Sequence, residues 1–175
     1  VSNPLSLFFI WEGGLSFHGG LMGVIISLYV YSYQHRISFL RLADAICMAM
    51  PIGLGLVRIG NFLNGELYGR PTDGTWGFIF PTDPYGFTRH PSQLYEAFFE
   101  GLFLFILLMF VSAQNNKHGV ISGSFLMAYG LMRFFIEYFR QPDSHMGFVA
   151  LQLSMGQLLS IPMVIIGLIL LTKSL

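Results

Sequence analysis

Apolar side chains run along this chain in long continuous blocks rather than in alternation, a pattern that predicts helices and argues against barrel strands. Residues 13–34 contain no Asp, Glu, Lys or Arg and include the run LMGVIISLYVYSY, a first span. A polar, basic stretch over residues 34–44 separates it from a second span at about residues 45–65, which is interrupted by Pro51, several glycines and one charge, Arg58. The longest polar segment, residues 66–90, is rich in Gly, Pro, Thr and Asp. A third span covers residues 91–113, the turn QNNKHG follows, and a fourth span at 120–139 carries Arg133 and Glu137. After RQPDSH, a fifth span runs from 146 to 172 and closes at Lys173. At about 20 residues per crossing, the pattern predicts an all-α, polytopic membrane bundle of about five transmembrane helices with one long loop. Residues 4–11 are too short to cross and are expected to be interfacial or re-entrant. No internal repeat is visible, which weakens a transporter reading built on inverted halves.

Composition supports the membrane assignment. Nine basic and nine acidic residues in 175 leave net charge zero, with 10% charged, 54% hydrophobic and a mean hydropathy of +0.63. Soluble domains carry roughly 25% charged residues, so a soluble enzyme, a disordered segment and a nucleic-acid binder are all disfavoured. The single cysteine, Cys47, forms no internal disulfide, and no His/Cys/Asp grouping has metal spacing, so no metal or cofactor is expected. The chain opens on Val1 without a basic segment before an apolar core, which reads as the interior of a longer protein rather than a cleavable signal peptide. Alternation puts Arg36, Arg41, Lys117 and Lys173 on one side, opposed only by Asp44. The other side holds Arg70, Arg89 and Arg140 beside Glu66, Asp73, Asp83 and Asp143. The first side is therefore expected to be cytoplasmic and the loop at 66–90 extracytoplasmic.

Against this background the ionisable residues inside spans need a reason, because each costs about 2.5–3.5 kcal/mol at a helix centre. Four segments deliver such residues to one membrane level. The second span brings Arg58 and Asn61, the fourth brings Tyr129, Arg133 and Glu137, the first brings His18-Gly19-Gly20, and the third brings His90, Tyr95 and Glu96. Arg58 and Asn61 are i,i+3, and Tyr129, Arg133 and Glu137 are i,i+4,i+8, so each set shares one helical face. Two arginines in one cavity repel unless an anion or carboxylates compensate, and the planar guanidinium fork suits phosphate. A phospholipid headgroup is the anion found at that depth.

Simpler readings stand beside these. An Arg133–Glu137 pair alone can be a structural staple. His18 alone is more often a hydrogen-bonded helix-end histidine than a base. Glu96 and Glu100 read more readily as interfacial residues. Tyr68, Trp76 and Tyr85 suit an interfacial aromatic belt. By residues alone, a membrane enzyme, an anion or lipid transporter and a structural subunit all remain open. An apolar cytoplasmic half disfavours the transporter, and the grouping of Arg58, Asn61, Arg133 and Glu137 disfavours the structural subunit.

The motifs themselves carry a resemblance. Arg58-Ile-Gly-Asn61-Phe-Leu-Asn64-Gly-Glu66-Leu-Tyr-Gly69-Arg70 resembles the signature of the bacterial phosphatidylglycerol–prolipoprotein diacylglyceryl transferase family. Ser16-Phe-His18-Gly-Gly-Leu-Met-Gly23, Arg89-His90-Pro-Ser-Gln-Leu-Tyr95-Glu96, the run from Tyr129 to Asp143 and Ser154-Met-Gly-Gln-Leu-Leu-Ser-Ile-Pro162 match in order. Val57 stands where that signature usually has Gly before the arginine, so packing there is expected to differ. An additional N-terminal transmembrane segment of the family is not found in these residues, and residues 1–175 are expected to form one membrane-embedded domain.

The resemblance implies transfer of the diacylglyceryl group of phosphatidylglycerol to the lipobox cysteine of a prolipoprotein, with glycerol phosphate leaving. This is the first step of lipoprotein maturation, at the outer face of the bacterial inner membrane. It implies catalytic roles for His18 as base and for Arg58 and Arg133 at the phosphate. Substrate-binding roles fall on Arg58, Asn61, Glu66, Gly69, His90, Glu96, Tyr129, Arg133, Glu137 and Arg140. Among these, Tyr129, Asn61 and Glu66 would orient headgroup or arginines, Glu96 and Glu137 would hold the arginines, and Arg140 would stand near the mouth. The expected partners are phosphatidylglycerol, the prolipoprotein signal peptide and membrane lipid, with no nucleic acid, and the protein is expected to act as a monomer.

Overall fold

A computed structural model describes residues 17–141, 148–150 and 153–174, with the side chains of residues 17, 18 and 148–150 outside that description. The chain falls into two compact units that meet between Leu42 and Ala43. In the first, helix α1 (Phe17–His35) occupies the predicted first span. It ends on Arg36, whose positive φ of 54° lets the Ile37 N–H reach back to the Ser32 carbonyl at 3.1 Å while the Ser32 hydroxyl donates to the Ile37 carbonyl at 2.6 Å. This is a left-handed helix stop that redirects the chain into the next helix.

Helix α2 (Phe39–Leu63) starts about one and a half turns before the expected second span and continues through Pro51. Residues 39–44 are thus helical rather than part of a polar linker, and Asp44 supplies the reason. Its carboxylate is buried and accepts the Gly119 N–H at 2.7 Å, the Ser122 N–H at 2.7 Å and the Ser122 hydroxyl at 2.6 Å. Those donors open helix α5 (Val120–Ile136), whose free N–H groups a carboxylate both caps and stabilises through the helix dipole. Asp44 and the start of α5 therefore lie at one level, and from there both helices run toward Glu96, which Arg58 and Arg133 reach.

Between them, α3 (Ser92–Glu96), a π-helical stretch (Ala97–Phe103) and α4 (Leu104–Gln114) form one continuous helix of 23 residues. Helix α6 (Met155–Ser174) completes the set. Among the described residues, three helices, Phe39–Leu63, Ser92–Gln114 and Met155–Ser174, are long and apolar enough to cross a membrane, and Val120–Ile136 is a shorter apolar helix. The architecture is an all-α polytopic membrane protein.

The core is Leu104, Leu108, Phe125 and Ala128, with Cys47, Leu54, Tyr129 and Met132 packed on it. Helices α5 and α6 meet through small residues: a Cβ on Gly167 would lie 2.6 Å from the Met127 nitrogen, and one on Gly130 would lie 3.0 Å from the Ser160 carbonyl. Small-residue seams of this kind drive helix association where lipid removes the hydrophobic contrast. Outward faces carry Leu56, Phe110, Phe135 and Ile165, all exposed, as lipid-facing positions should be.

Strands do occur, outside the spans. β1 (Phe78–Ile79) pairs antiparallel with β2 (Thr88–Arg89), and β3 (Phe148–Ala150) with β4 (Leu153–Ser154). The second pair shortens the expected fifth span, since α6 begins only at Met155. Ser154 and Gln157 set that start by a reciprocal capping box, the Gln157 N–H donating to the Ser154 hydroxyl at 3.2 Å and the Ser154 N–H to the Gln157 side-chain oxygen at 3.1 Å. The long loop is tied by Arg89, which grips Asp83 through Nε at 2.7 Å and Nη2 at 3.0 Å and stacks over Tyr68 at 4.7 Å. Asp83 also takes the Phe87 N–H at 3.1 Å, and the Arg89 guanidinium holds its carboxyl below the ordinary carboxylate range. Tyr68 is thus a packing residue, stacked on Phe80, while Trp76 and Tyr85 remain exposed as an interfacial belt requires.

Candidate active site

Close backbone approach builds the site. Gly55 of α2 meets Gly101 of the π-helical stretch so tightly that a Cβ on Gly101 would lie 2.7 Å from the Gly55 Cα. Arg58 follows Gly55 by one turn, and Glu100 adjoins Gly101, so this crossing carries the arginine onto the acidic face of the neighbouring helix. Glu96 and Glu100 are i,i+4 and fully buried there, not interfacial. The helix pair α5 and α6 supplies the remainder from the far side.

Five of the charged residues expected at the site meet in this place, and a sixth, expected at the interface, joins them. Arg58 Nε lies 2.9 Å from Glu96 Oε2, Arg133 Nη1 2.5 Å from Glu96 Oε1, and Arg140 Nη1 3.1 Å from the same Oε1. Arg133 Nη2 pairs with Glu137 Oε2 at 2.9 Å across one helical turn, as the i,i+4 spacing predicts. The sixth is Glu100, whose Oε1 stands 3.6 Å from Arg133 Nη1 and whose two oxygens receive no hydrogen bond among the described residues. Three guanidinium groups thus face three carboxylates, and the repulsion between arginines is answered by formal neutrality. The arginine side chains keep 10–15% of their surface exposed, whereas Glu96 and Glu100 keep none. The cations therefore line the accessible face and the carboxylates stand behind them. Arg140 is one of Glu96's direct partners as well as the residue nearest the loop.

Glu137 is fixed from behind as well. A Cβ on Gly156, in the first turn of α6, would fall 2.7 Å from its Oε2, so only glycine admits the carboxylate at that helix start. Tyr129 stacks on Phe125 at 5.6 Å and belongs to the same electrostatic cluster as Glu100, Arg133 and Arg58.

Other expected site residues stand at the seam between loop and helices. Glu66 is exposed, its N–H donating to the Asn61 carbonyl at 2.8 Å and its own carbonyl accepting the Gln93 amide at 2.6 Å. Gly69 pairs with Arg140 and donates to the His90 carbonyl at 2.9 Å, and a Cβ there would lie 2.6 Å from that oxygen. His90 Nδ1 lies 3.3 Å from the Tyr95 hydroxyl, with the ring edge-on to Phe139. These contacts bind the loop to the end of α5 and hold Arg140 over the cluster. An apolar cavity of about 390 Å³, lined by Phe62, Leu63, Phe78 and Phe80, opens beside the end of α2. The His18 side chain lies outside the described residues.

Membrane-length helices around a buried arginine–glutamate cluster define a polytopic membrane protein with an arginine-lined polar site, and sequence comparison places it more narrowly. A family profile described as prolipoprotein diacylglyceryl transferase matches residues 1–173, and the chain belongs to that family. It is 54% identical over 168 residues to the phosphatidylglycerol–prolipoprotein diacylglyceryl transferase of Geobacter sulfurreducens, covering 96% of this chain and 64% of that protein. The Bordetella parapertussis protein of the same name is 50% identical over 167 residues, with 95% and 64% covered. That of Idiomarina loihiensis is 48% identical over 174 residues, with 99% and 65% covered. The chain thus spans a little under two thirds of the length of these relatives.

Proposed function

We propose that this protein transfers the diacylglyceryl group of phosphatidylglycerol to the lipobox cysteine of a prolipoprotein, in the bacterial inner membrane and at a site facing the extracytoplasmic side. One bond forms, between the cysteine sulfur and the glyceryl carbon, and one breaks, between that carbon and the phosphate oxygen. Glycerol phosphate leaves with the electron pair. The observation that carries this reading is the set of three arginines converging on one carboxylate at membrane depth. Charge developing on a departing phosphate is stabilised by preorganised donors in a site of low dielectric, and guanidinium groups supply them. Arg58 and Arg133 take that role, while Glu137 keeps Arg133 oriented. The acceptor thiol has an ordinary pKa near ~8.5 and needs its proton removed, for which His18 is the proposed base. Asn61, Glu66 and Tyr129 orient the headgroup, and Gly69 and His90 hold the loop that bounds it. The partners are phosphatidylglycerol and a prolipoprotein signal peptide, and the protein acts as a monomer.

The test is incubation of the full-length protein with phosphatidylglycerol and a lipobox peptide. The expected result is a peptide mass gain of one diacylglyceryl unit on the cysteine, with glycerol phosphate released. An unmodified peptide after prolonged incubation refutes the reading.

A further inference from the structure

We infer that the Glu96 carboxylate is the resting occupant of an anion site, the group an incoming phosphate must displace, rather than only a brace for the arginines. The inference rests on the phosphate-ester reading above and extends it to how the site is filled before substrate arrives. Arg58 comes from α2, and Arg133 and Arg140 from α5 and the residues after it, yet each brings a nitrogen close to this one carboxylate, at 2.9, 2.5 and 3.1 Å. Arg133 and Arg140 donate hydrogen bonds to Oε1, while Arg58 Nε forms an ion pair with Oε2 without hydrogen-bond alignment. A guanidinium carries about five N–H donors and a carboxylate about four acceptor positions, so three arginines offer far more than Glu96 can use. Two of these arginines need no bracing from Glu96. Arg133 already has Glu137 at 2.9 Å, and the backbone of Arg140 is held by its pairing with Gly69 and by Arg70 Nε on its carbonyl at 3.0 Å.

The neighbouring carboxylates differ from Glu96 in ways that single it out. Glu137 is hemmed in by Gly156. Glu100 is fully buried, takes no hydrogen bond on either oxygen, and stands 3.6 Å from Arg133 Nη1, placed to compensate Arg133 when Glu96 lets go. Glu96 is the last residue before the π-helical stretch Ala97–Phe103, a wider turn of the kind found at functional sites. A phosphate reaching the exposed edges of the arginines would meet three guanidinium groups already gathered about a single anion, one of them, Arg58, with its Nε not yet engaged in a hydrogen bond to it.

The two roles predict opposite signs. Calorimetry of the full-length protein in lipid nanodiscs measures binding of glycerol phosphate and inorganic phosphate to wild type and to Glu96→Gln. A displaced occupant predicts that Glu96→Gln binds both anions about tenfold more tightly, with a lower KM for phosphatidylglycerol. A brace predicts weaker binding because the arginines lose their geometry, so weaker or unchanged binding overturns the inference. Wild type gives a second readout if the variant does not fold. Glycerol phosphate should raise carbodiimide labelling of Glu96, located by peptide mass spectrometry, relative to that of Glu137. Protection of Glu96, or no change, overturns the inference independently. Absence of lipid transfer by a wild-type protein that shows these binding signs would count against the proposed reaction alone.

Discussion

Arg133 is the residue through which most of the site communicates, since Glu96, Glu100 and Glu137 all lie within 3.6 Å of its guanidinium. A lysine carries its charge at one point and cannot address Glu96 and Glu137 with separate nitrogens. Arg133→Lys should therefore lower diacylglyceryl transfer by about a hundredfold or more, the loss typical of removing a transition-state donor. Arg140→Lys should cost less than about tenfold, because a lysine keeps the positive charge there and the guanidinium groups of Arg58 and Arg133 remain for the phosphate. Initial rates on a lipobox peptide compare the two, and equal mild losses contradict the assignment. The Arg133–Glu137 pair was legible in the sequence because helical periodicity alone makes it. The burial of Glu100 was not, because an i,i+4 pair of glutamates at a helix start looks the same whether it faces solvent or is buried.

Helix geometry sets where these residues meet. Gly55 and Gly101 allow a backbone contact that no side chain can enter, so Gly101→Leu should force α2 away from the helix Ser92–Gln114. Overpacking of this kind costs about 1–3 kcal/mol. The expected result is a lower thermal midpoint by circular dichroism, little change in helix content, and loss of transfer as Arg58 is drawn from Glu96. The loop offers a separate, pH-dependent element. Asp83 is held below its ordinary pKa, first by its hydrogen bonds from Arg89, so its contribution is complete above the unfolded carboxylate value of about 3.9 and is lost as pH falls through the lower folded value. The wild-type near-UV signal should therefore persist to about pH 4 and decline below it. Asp83→Asn should have a lower midpoint at neutral pH and lack that acid-dependent component. A parallel pH dependence in both proteins argues against it. All five predicted helices formed because long apolar runs specify them, but two boundaries moved. The start of α2 depended on Asp44 meeting residues 119–122, too far along the chain to leave a local signal, whereas the start of α6 was signalled locally by Ser154 and Gln157 within a longer apolar run.

At the scale of the whole molecule, Asp44 and the arginine cluster mark opposite ends of α2, so the acidic cap of α5 and the candidate site lie at different membrane levels. The proposed extracytoplasmic site puts the Asp44 end, with Lys117 two residues before Gly119, on the cytoplasmic side, as the positive-inside rule expects. In a Cys47→Ser background, Asp73→Cys should react with an impermeant maleimide on intact spheroplasts, and Lys117→Cys only after permeabilisation. The reverse pattern inverts the assignment.

The pairing of three arginines with three glutamates bears on turnover. Formal charge in the cluster is already balanced before any lipid arrives. In the proposed transfer, a phosphodiester headgroup would bring one negative charge into that balance, and the phosphate monoester left behind would approach two. Repulsion from the glutamates behind the arginines therefore grows as the reaction proceeds. In the proposed reaction, the arrangement that stabilises the departing charge also works against retaining it, so the same residues would favour release of the product whose formation they promote.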